Sequence, residues 1–503
     1  MSYVSDIITI EELDTWKPKD TILLTAGTGT GKSHFVLNSL NHYAKRKKQR
    51  VLLLVPRASI KKQFELGLTI DDTHFEIQTY QWIESKFLRG QTTFADYDYI
   101  VADEAHYFLD DSTFNVTTDV SFQWIMKHSA IKIMMSATSE VLFGLIQMYV
   151  ETDKIRHYQM KQNFENIEHL YVYPFDRKNP YQYVLRQMHQ IRTRHEKALI
   201  FVNNKTEAKK LHDAFPKDSY FFHGGNQTKK QEEELKEILN NEKFDKPFLI
   251  TTSVLDTGVT FIDKNLKHIF LDSNSMNSLI QMYGRKRFIN EYDKVTLHVR
   301  DFNNSSLGGI YSRYKQMIKP LDYYMEHGEK KFIEHYPMMR DSSNRIIKGV
   351  YVASNEKSEG LVQLNNLYYF HMKVQLEWSN YLLQNKITFR EEVVKMFESE
   401  EKHTNVSEAE KNDGIYEYLT NVAGDKLYVE ERENLIDFIG IYHDGKQLRG
   451  RNSLNGFLEE AKLPFHISHG KDVKRTVVNH KGDIVQNPFY QRTYWMVNSI
   501  DNL

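Results

Sequence analysis

The sequence predicts an α/β protein with two parallel-sheet domains in tandem and a C-terminal accessory α+β region. Up to about residue 300, short apolar runs alternate with amphipathic stretches, which is the pattern of βα units on a parallel sheet. The composition, 40% hydrophobic and 26% charged, is typical of a globular chain. With 503 residues, we expect domains at residues 1–160 and 161–300, a mainly helical accessory region at 301–445, and a basic module at 446–503.

The strands and helices of the two sheets follow from these apolar runs and the segments between them. The predicted strands are Thr21–Thr25, Val51–Val55, Tyr99–Val101, Ile131–Met135, Ala198–Val202, Tyr220–Phe222, Phe248–Thr251 and His268–Leu271. The predicted helices include Lys32–Lys45, Ile60–Leu66, Lys205–Phe215 and Lys229–Asn240. Tyr173–Pro180, which contains two prolines, is expected to connect the two series.

Composition excludes several classes of protein. The chain has no cysteine, which excludes disulfide frameworks, cysteine nucleophiles, Cys-ligated zinc modules and iron–sulfur clusters. No apolar run approaches the length of a membrane span, and Met1–Ile10 is not a signal peptide, so a cytoplasmic protein without membrane contact is expected. The formal net charge of −1 means that any nucleic-acid binding must depend on local basic surfaces.

A glycine-rich turn between the first strand and the first long helix has the features of a P-loop. Its backbone N–H groups can point at phosphate oxygens, and the following helix start adds positive partial charge. Lys32 would reach the β- and γ-phosphates, and the Ser33 hydroxyl would ligate Mg²⁺. ATP and Mg²⁺ are therefore the expected cofactors, and the expected contacts are Ala26, Gly27, Thr28, Gly29, Thr30, Gly31, Lys32 and Ser33.

Two adjacent carboxylates follow the predicted strand Tyr99–Val101. Buried charges of this kind are costly unless a cation or solvent compensates them. Asp103 would hold the Mg²⁺ shell, and Glu104 would polarise the attacking water as a general base.

The order of AGTGTGKS (26–33), DEAH (103–106), SAT (136–138) and QMYGRKRF (281–288) resembles the superfamily 2 helicases and translocases, in particular their DEAH-box members. The resemblance covers about residues 20–290. It implies two RecA-like domains with ATP bound between them, and it assigns His106, Ser136 and Thr138 to the coupling of hydrolysis with movement.

The same resemblance implies further contacts. In the last motif, Gln281, Arg285 and Arg287 are the expected catalytic residues. Arg287 stands one position earlier than the usual second arginine. The arginine finger that faces the γ-phosphate is therefore either Arg285 alone or a pair whose second member is shifted to Arg287. Gly258 is expected at the nucleotide. The expected nucleic-acid contacts are Pro56, Arg57, Thr79, Asn203, Lys205, His223, Gly224 and Thr252.

The C-terminal module is basic, with 9 basic and 4 acidic residues between positions 446 and 492. A helix ending before Pro464 and a β-ribbon of Arg475–Val478 with Tyr490–Val497 are compatible with a winged-helix-like unit that binds a phosphate backbone. An ordinary solvated face is the alternative.

The sequence therefore predicts an ATP-dependent nucleic-acid helicase, with DNA favoured over RNA. Replication or repair proteins of a phage or mobile element are the candidate partners. Two alternatives stay open: a DNA translocase or remodeller that does not unwind, and a nucleotide-regulated nucleic-acid-binding sensor.

Overall fold

The structure is a computed structural model. It describes residues 3–27, 29–69, 72–91, 93–138, 140–160, 162–175, 180–224, 228–252, 259–355, 358–405, 415–416, 418–443, 446–461, 463–478 and 484–500. Expectations for Thr28 and Gly258 fall outside these residues.

Within the described residues, the first sheet has six strands, all parallel to their neighbours, in the order β3-β2-β4-β5-β1-β6. The strands are β1 (Thr21–Thr25), β2 (Val51–Val55), β3 (Phe75–Thr79), β4 (Tyr99–Ala102), β5 (Ile131–Ser136) and β6 (Ile155–Gln159). Successive side chains enter opposite hydrophobic clusters, as Leu53 and Leu54 do. Burial on both faces explains why the central strands are continuous apolar runs.

The second sheet has seven described strands, again all parallel, in the order β15-β7-β12-β11-β8-β10-β9. They are β7 (Ile167–Tyr173), β8 (Lys197–Phe201), β9 (Ser219–Phe222), β10 (Phe248–Thr251), β11 (Leu266–Leu271), β12 (Val295–Arg300) and β15 (His403–Asn405). The fold class expected from the sequence, two RecA-like parallel-sheet α/β domains with an additional C-terminal region, is confirmed.

Helices connect these strands. They are α1 (Val4–Ile7), α2 (Ile10–Leu13), α3 (Lys32–His34), α4 (Asn41–Lys47), α5 (Ala58–Glu65), α6 (Tyr80–Leu88), α7 (Tyr107–Asp110), α8 (Thr118–Lys127), α9 (Glu140–Gln147), α10 (Gln182–Thr193), α11 (Lys205–Ala214), α12 (Lys229–Asn241), α13 (Met276–Tyr283), α14 (Asn304–His335), α15 (Asn366–Asn385), α16 (Phe389–Met396), α17 (Val429–Ile439) and α18 (Arg451–Glu460). A π-helical segment, Phe35–Leu40, joins α3 to α4. Helix α14 is interrupted at Gly328, where φ is +76°.

All eight predicted strands are present, with ends that differ by no more than two residues. The structure adds strands that the apolar runs did not reveal. One of them, β6, is an edge strand whose residues are half-buried or exposed, so it carries polar side chains. The helix expected before Pro464 is confirmed as α18.

The predicted C-terminal ribbon is wrong in its pairing. Strand β19 (Thr476–Val478) pairs with β20 (Ile484–Gln486), whereas β21 (Thr493–Ser499) pairs with β18 (Phe465–Lys471). Two antiparallel pairs thus replace the single ribbon. Strand β18 was not expected because Phe465 and Ile467 are its two buried apolar residues and its other five positions are polar or glycine.

Contacts group the chain into two compact units. The first contains residues 1–164, 276–287 and 302–392; the second contains 165–275, 288–301 and 393–503. The bounds of these units differ from those of the four expected ranges. That the four ranges are separate domains stays a prediction. One hydrophobic cluster, for example, joins Ile415 and Leu435 to Leu454 and Val497, on both sides of the expected boundary at 445.

In the first unit, the accessory segment 302–392 packs on the parallel-sheet domain. It contains the hairpin of β13 (Val350–Asn355) and β14 (Ser358–Leu364). The Asn365 Nδ2 donates to the carbonyl oxygen of Val116 (3.0 Å) and to Thr118 Oγ1 (3.1 Å). Tyr351 donates to the buried Asp119 carboxylate at 3.3 Å. The accessory segment is therefore tied to helix α8 by buried hydrogen bonds.

Candidate functional site

The glycine-rich turn lies between β1 and α3, where the sequence predicted it. Gly29 and Gly31 both have φ of +85°, in the left-handed region that favours glycine. The Thr30 hydroxyl donates to the carbonyl oxygen of Gly27 (2.8 Å), and the Ala26 N–H donates to that of Ser136 (3.0 Å). The second bond attaches the turn directly to the end of β5.

The Lys32 ammonium is held inside this turn. It is 9% exposed, and its Nζ donates to the carbonyl oxygens of Ala26 (2.7 Å) and Gly27 (3.3 Å). Ser33 follows it on the exposed side of the same helix start. A cation and a hydroxyl are thus presented together at the glycine-rich turn.

The acidic pair follows β4, with Asp103 buried and Glu104 half-buried. Burial, and then the charge of Glu104, raise the pKa of Asp103 to about 7, while Lys32 opposes the shift. Burial also acts to raise the pKa of Glu104, but the surrounding positive charges, led by Lys32 and including Arg285 and Arg287, lower it overall. Glu104 has φ of +49°, an unusual backbone conformation for a side chain of its size. The structure therefore holds at least one buried carboxylate charge facing three cationic side chains.

His106 connects this acidic pair to the end of β5. Its Nδ1 lies 3.2 Å from Ser136 Oγ and 3.4 Å from Glu104 Oε2. Burial lowers the pKa of His106 to about 4, although Glu104 opposes the shift, so the ring is neutral at pH 7. Ser136 Oγ in turn donates to the carbonyl oxygen of Thr138 (2.9 Å).

Helix α13 brings the last motif to the same place. Gln281 Nε2 donates to Thr138 Oγ1 (3.3 Å) and lies 3.5 Å from His106 Nδ1. Arg285 donates through Nε to the Gln281 carbonyl oxygen and through Nη2 to its Oε1, both at 3.1 Å. Arg285 is only 5% exposed. Gln281 therefore bridges an arginine to two of the three residues expected to couple hydrolysis to movement.

Arg287, the arginine that stands one position early, reaches the glycine-rich turn. Its Nη1 lies 3.3 Å from the place that a Cβ atom on Gly29 would occupy. The positive φ of Gly29 disfavours a larger residue there, and the contact places a second guanidinium beside the turn.

The predicted strand-contacting residues of the first unit lie at the carboxyl ends of β2 and β3. Pro56 and Arg57 follow β2, and Thr79 ends β3. Arg57 is paired with Asp111, with Nη1 2.6 Å from Oδ2 and Nη2 3.4 Å from Oδ1. Sequence reasoning missed Asp111, because the pair spans 54 positions and no local pattern announces it.

Tyr80 is a second residue that sequence reasoning missed. It begins α6 directly after Thr79, is fully buried, and donates its hydroxyl to the carbonyl oxygen of Asp103 (2.7 Å). The loop after β3 is thereby joined to the acidic pair. Its position next to the predicted Thr79 was the available signal.

In the second unit, the predicted strand-contacting residues also share one sheet edge. Strands β8, β10 and β9 are neighbours, and their carboxyl ends lead into the residues concerned. These are Asn203, Lys205, His223, Gly224 and Thr252.

Asp272, which sequence reasoning missed, anchors this edge. Its carboxylate accepts from the Asn203 N–H (3.2 Å) and from Arg300 Nη1 (2.9 Å), and also from the Tyr181 hydroxyl. It follows β11 just as Asp103 follows β4, so its place at a strand end was the signal.

The donor set suits the expected cofactor. Two adjacent carboxylates, of which the buried Asp103 has a raised pKa, are a site that a divalent cation would stabilise, and carboxylate and hydroxyl oxygens are ligands that Mg²⁺ prefers. Asp103 and Ser33 would hold the ion.

The fold and this constellation have the arrangement expected of a P-loop nucleotide-binding protein. Comparison with known families extends that class. Residues 180–287 match the family described as "Helicase conserved C-terminal domain", and residues 4–92 match the one described as "Type III restriction enzyme, res subunit". Together the matches support an ATP-hydrolysing superfamily 2 helicase. No curated protein matches the chain in sequence.

Solved structures with similar chains include the DEAD-box helicase Mss116 bound to ssRNA and UDP-BeF, with 15% identity, a TM-score of 0.45, and coverage of 77% of this chain and 84% of that one. S. cerevisiae Dbp5 bound to RNA and ADP BeF3 has 15% identity, a TM-score of 0.42 and coverage of 56% and 78%. Escherichia coli DEAH/RHA helicase HrpB has 13% identity, a TM-score of 0.41 and coverage of 59% and 42%.

None of the helices in the described part of the chain combines the length and the apolar character needed to cross a bilayer.

Proposed function

We propose that this protein is a DEAH-box-type motor that couples hydrolysis of Mg²⁺-bound ATP to movement along DNA and to strand separation. The observation that carries the proposal is the bridge made by Gln281. It connects Arg285 to Thr138 and His106, close to the acidic pair and to a turn that itself bonds to Ser136. Such a network lets a change at the phosphates reach the end of β5.

Each residue has a defined task in this proposal. The N–H groups of the turn and the Lys32 ammonium bind the phosphates. Glu104 orients and polarises the attacking water, since its lowered pKa keeps it ionised. Arg285 and Arg287 stabilise the negative charge that develops on the transferring phosphoryl group. Bound Mg²⁺ would neutralise phosphate charge between Ser33 and Asp103.

The proposed track is DNA, because the second unit carries an exposed basic surface near its C-terminus. Four cations of this surface are exposed, and Asp472, the acidic side chain that the structure describes among them, is 4% exposed and paired with Lys426 at 2.8 Å. The four cations are Lys471, Lys474, Arg475 and Arg492. Such a surface attracts a phosphate backbone.

The test is ATP hydrolysis by the wild type alone and with single-stranded DNA, duplex DNA and RNA, beside Lys32→Ala. The proposal expects strong stimulation by DNA and none in the variant. Stimulation by RNA but not by DNA would mean that the track is RNA. Stimulation without strand separation would favour the translocase, and turnover indifferent to every polymer would favour the sensor.

A further inference from the structure

An apolar patch is exposed beside the predicted strand-contacting loops of the first unit. Phe114 is 68% exposed, and Leu88 and Val116 are 41% and 38% exposed. Phe114 follows the short helical turn Asp111–Thr113, which continues from α7 and the acidic motif. Three exposed apolar side chains around one loop are more than the scattered singles of an ordinary surface.

The loop that carries Phe114 is fixed on both sides. Asn115 Nδ2 donates to Glu84 Oε2 (2.8 Å) and lies 2.7 Å from the Tyr107 hydroxyl. The Val116 carbonyl oxygen accepts from Asn365 in the accessory segment (3.0 Å). Because the backbone of this loop is held by such bonds, little of its conformational entropy is lost when a ligand covers Phe114.

Phe114 stands at the rim of a cavity of about 370 Å³. The volume is within the range of small-molecule sites, roughly 300–1,000 Å³. Its wall combines the apolar Phe114 and Leu88 with the polar Gln81, Ser85 and Asn115. An aromatic platform with amide and hydroxyl groups beside it matches a nucleobase, which has a flat face and a polar edge.

The cavity lies between the two loops expected to follow a nucleic-acid strand. Arg57, from the end of β2, lines it, and Gln81 lies two residues after Thr79. The guanidinium carbon of Arg57 is 6.0 Å from the centre of the Phe114 ring. The hydrogen bonds to Asp111 use two of the five N–H donors of Arg57 and fix the orientation of the guanidinium plane.

We propose that this cavity is a nucleobase site: Phe114 stacks on one unpaired base of the bound strand, and Arg57 contacts the phosphate beside it. This inference rests on the proposed function, because it requires that a nucleic-acid strand is bound. It adds to that function a contact between the protein and a base. The local carboxylates are already occupied, Asp111 by Arg57 and Glu84 by hydrogen bonds from Asn115, Ser121 and Tyr107. The stack on Phe114 therefore adds binding energy that does not depend on salt, beside the salt-dependent contact of Arg57 with the phosphate.

The test uses a set of single strands, DNA and RNA, each with one abasic position, whose affinities are measured by fluorescence anisotropy. For the wild type, one position is expected to weaken binding about 5- to 150-fold, the value of one base–aromatic stack. Phe114→Ala should weaken binding to the intact strand by a similar factor and should be indifferent to that abasic position. The salt dependence should stay unchanged.

Two variants control for structure. Phe114→Trp keeps a stacking face and should retain the abasic penalty. Tyr149→Ala removes another exposed aromatic ring of the same unit, 53% exposed and packed on Phe122, and should leave affinity unchanged. An abasic penalty that persists in Phe114→Ala, or that is absent in the wild type, overturns the proposal. A wild type that binds no strand at all refutes the proposed function itself.

Discussion

The bridge at Gln281 makes the sharpest prediction. Gln281→Ala removes the side-chain oxygen that accepts from Arg285 Nη2 and the amide that donates to Thr138. The bond from Arg285 Nε to the backbone carbonyl of residue 281 remains, so the arginine is loosened and not released. We therefore expect Gln281→Ala to weaken the coupling of hydrolysis to movement while the fold is retained.

The magnitude follows from the bond that is lost. Arg285 is buried, and a hydrogen bond to a charged buried group contributes about 1.5–3 kcal/mol. If that energy is realised only when the cation meets the transition state, nucleic-acid-stimulated kcat falls about 10- to 150-fold. ATP affinity should change little, because no described contact joins the Gln281 side chain to the glycine-rich turn.

The assay is steady-state ATP hydrolysis with saturating nucleic acid, together with ATP affinity measured by equilibrium binding. Gln281→Glu is the matched variant, since it keeps the acceptor for Arg285 and loses the donor to Thr138. It should retain more activity than Gln281→Ala. Wild-type turnover in Gln281→Ala would refute the reasoning, and so would a loss confined to ATP binding.

Three further predictions follow from other parts of the structure. Glu104→Gln should keep ATP binding and stop hydrolysis, because the amide cannot polarise water; loss of nucleotide binding would instead assign Glu104 a structural role. The four exposed C-terminal cations are Lys471, Lys474, Arg475 and Arg492. Replacing all four by glutamine should reduce the steepness of the plot of log binding constant for duplex DNA against log salt concentration by about 3–4. An unchanged slope would mean that these cations are only a solvated surface. Burial raises the pKa of Asp119 to about 7, so the folded protein keeps a proton there that the unfolded chain loses above its ordinary pKa of 3.8. Asp119 should therefore lower wild-type stability by up to about 4 kcal/mol between pH 4 and pH 7. Asp119→Asn should lose this share of the pH dependence, while Asp103, whose pKa is also raised to about 7, keeps its own. Thermal midpoints at pH 5 and pH 8 will check this, and parallel midpoints in the two proteins would count against it.

Much of the nucleotide site was predictable because its parts are local in sequence. A buried strand, glycines that permit positive φ, and a lysine at a helix start specify the turn within thirteen residues, Thr21–Ser33. The acidic pair was predictable for the same reason, since carboxylates after a buried parallel strand lie at the sheet edge where ligands bind. The central strands were predictable because burial on both faces requires continuous apolar runs.

Only the tertiary structure decided what depends on distant pairs. Arg57 is held by Asp111, Arg285 reaches Thr138 through Gln281, and β15 joins β7 from more than 200 positions away. Strands such as β6 and β18 lack an apolar run that could identify them, so the pairing of β18 with β21 was not predicted. Local pattern in this chain therefore determines where the glycine-rich turn, its lysine and the acidic pair lie. Long-range hydrogen bonds and charge pairs, whose partners no local spacing specifies, decide how those residues are held and connected.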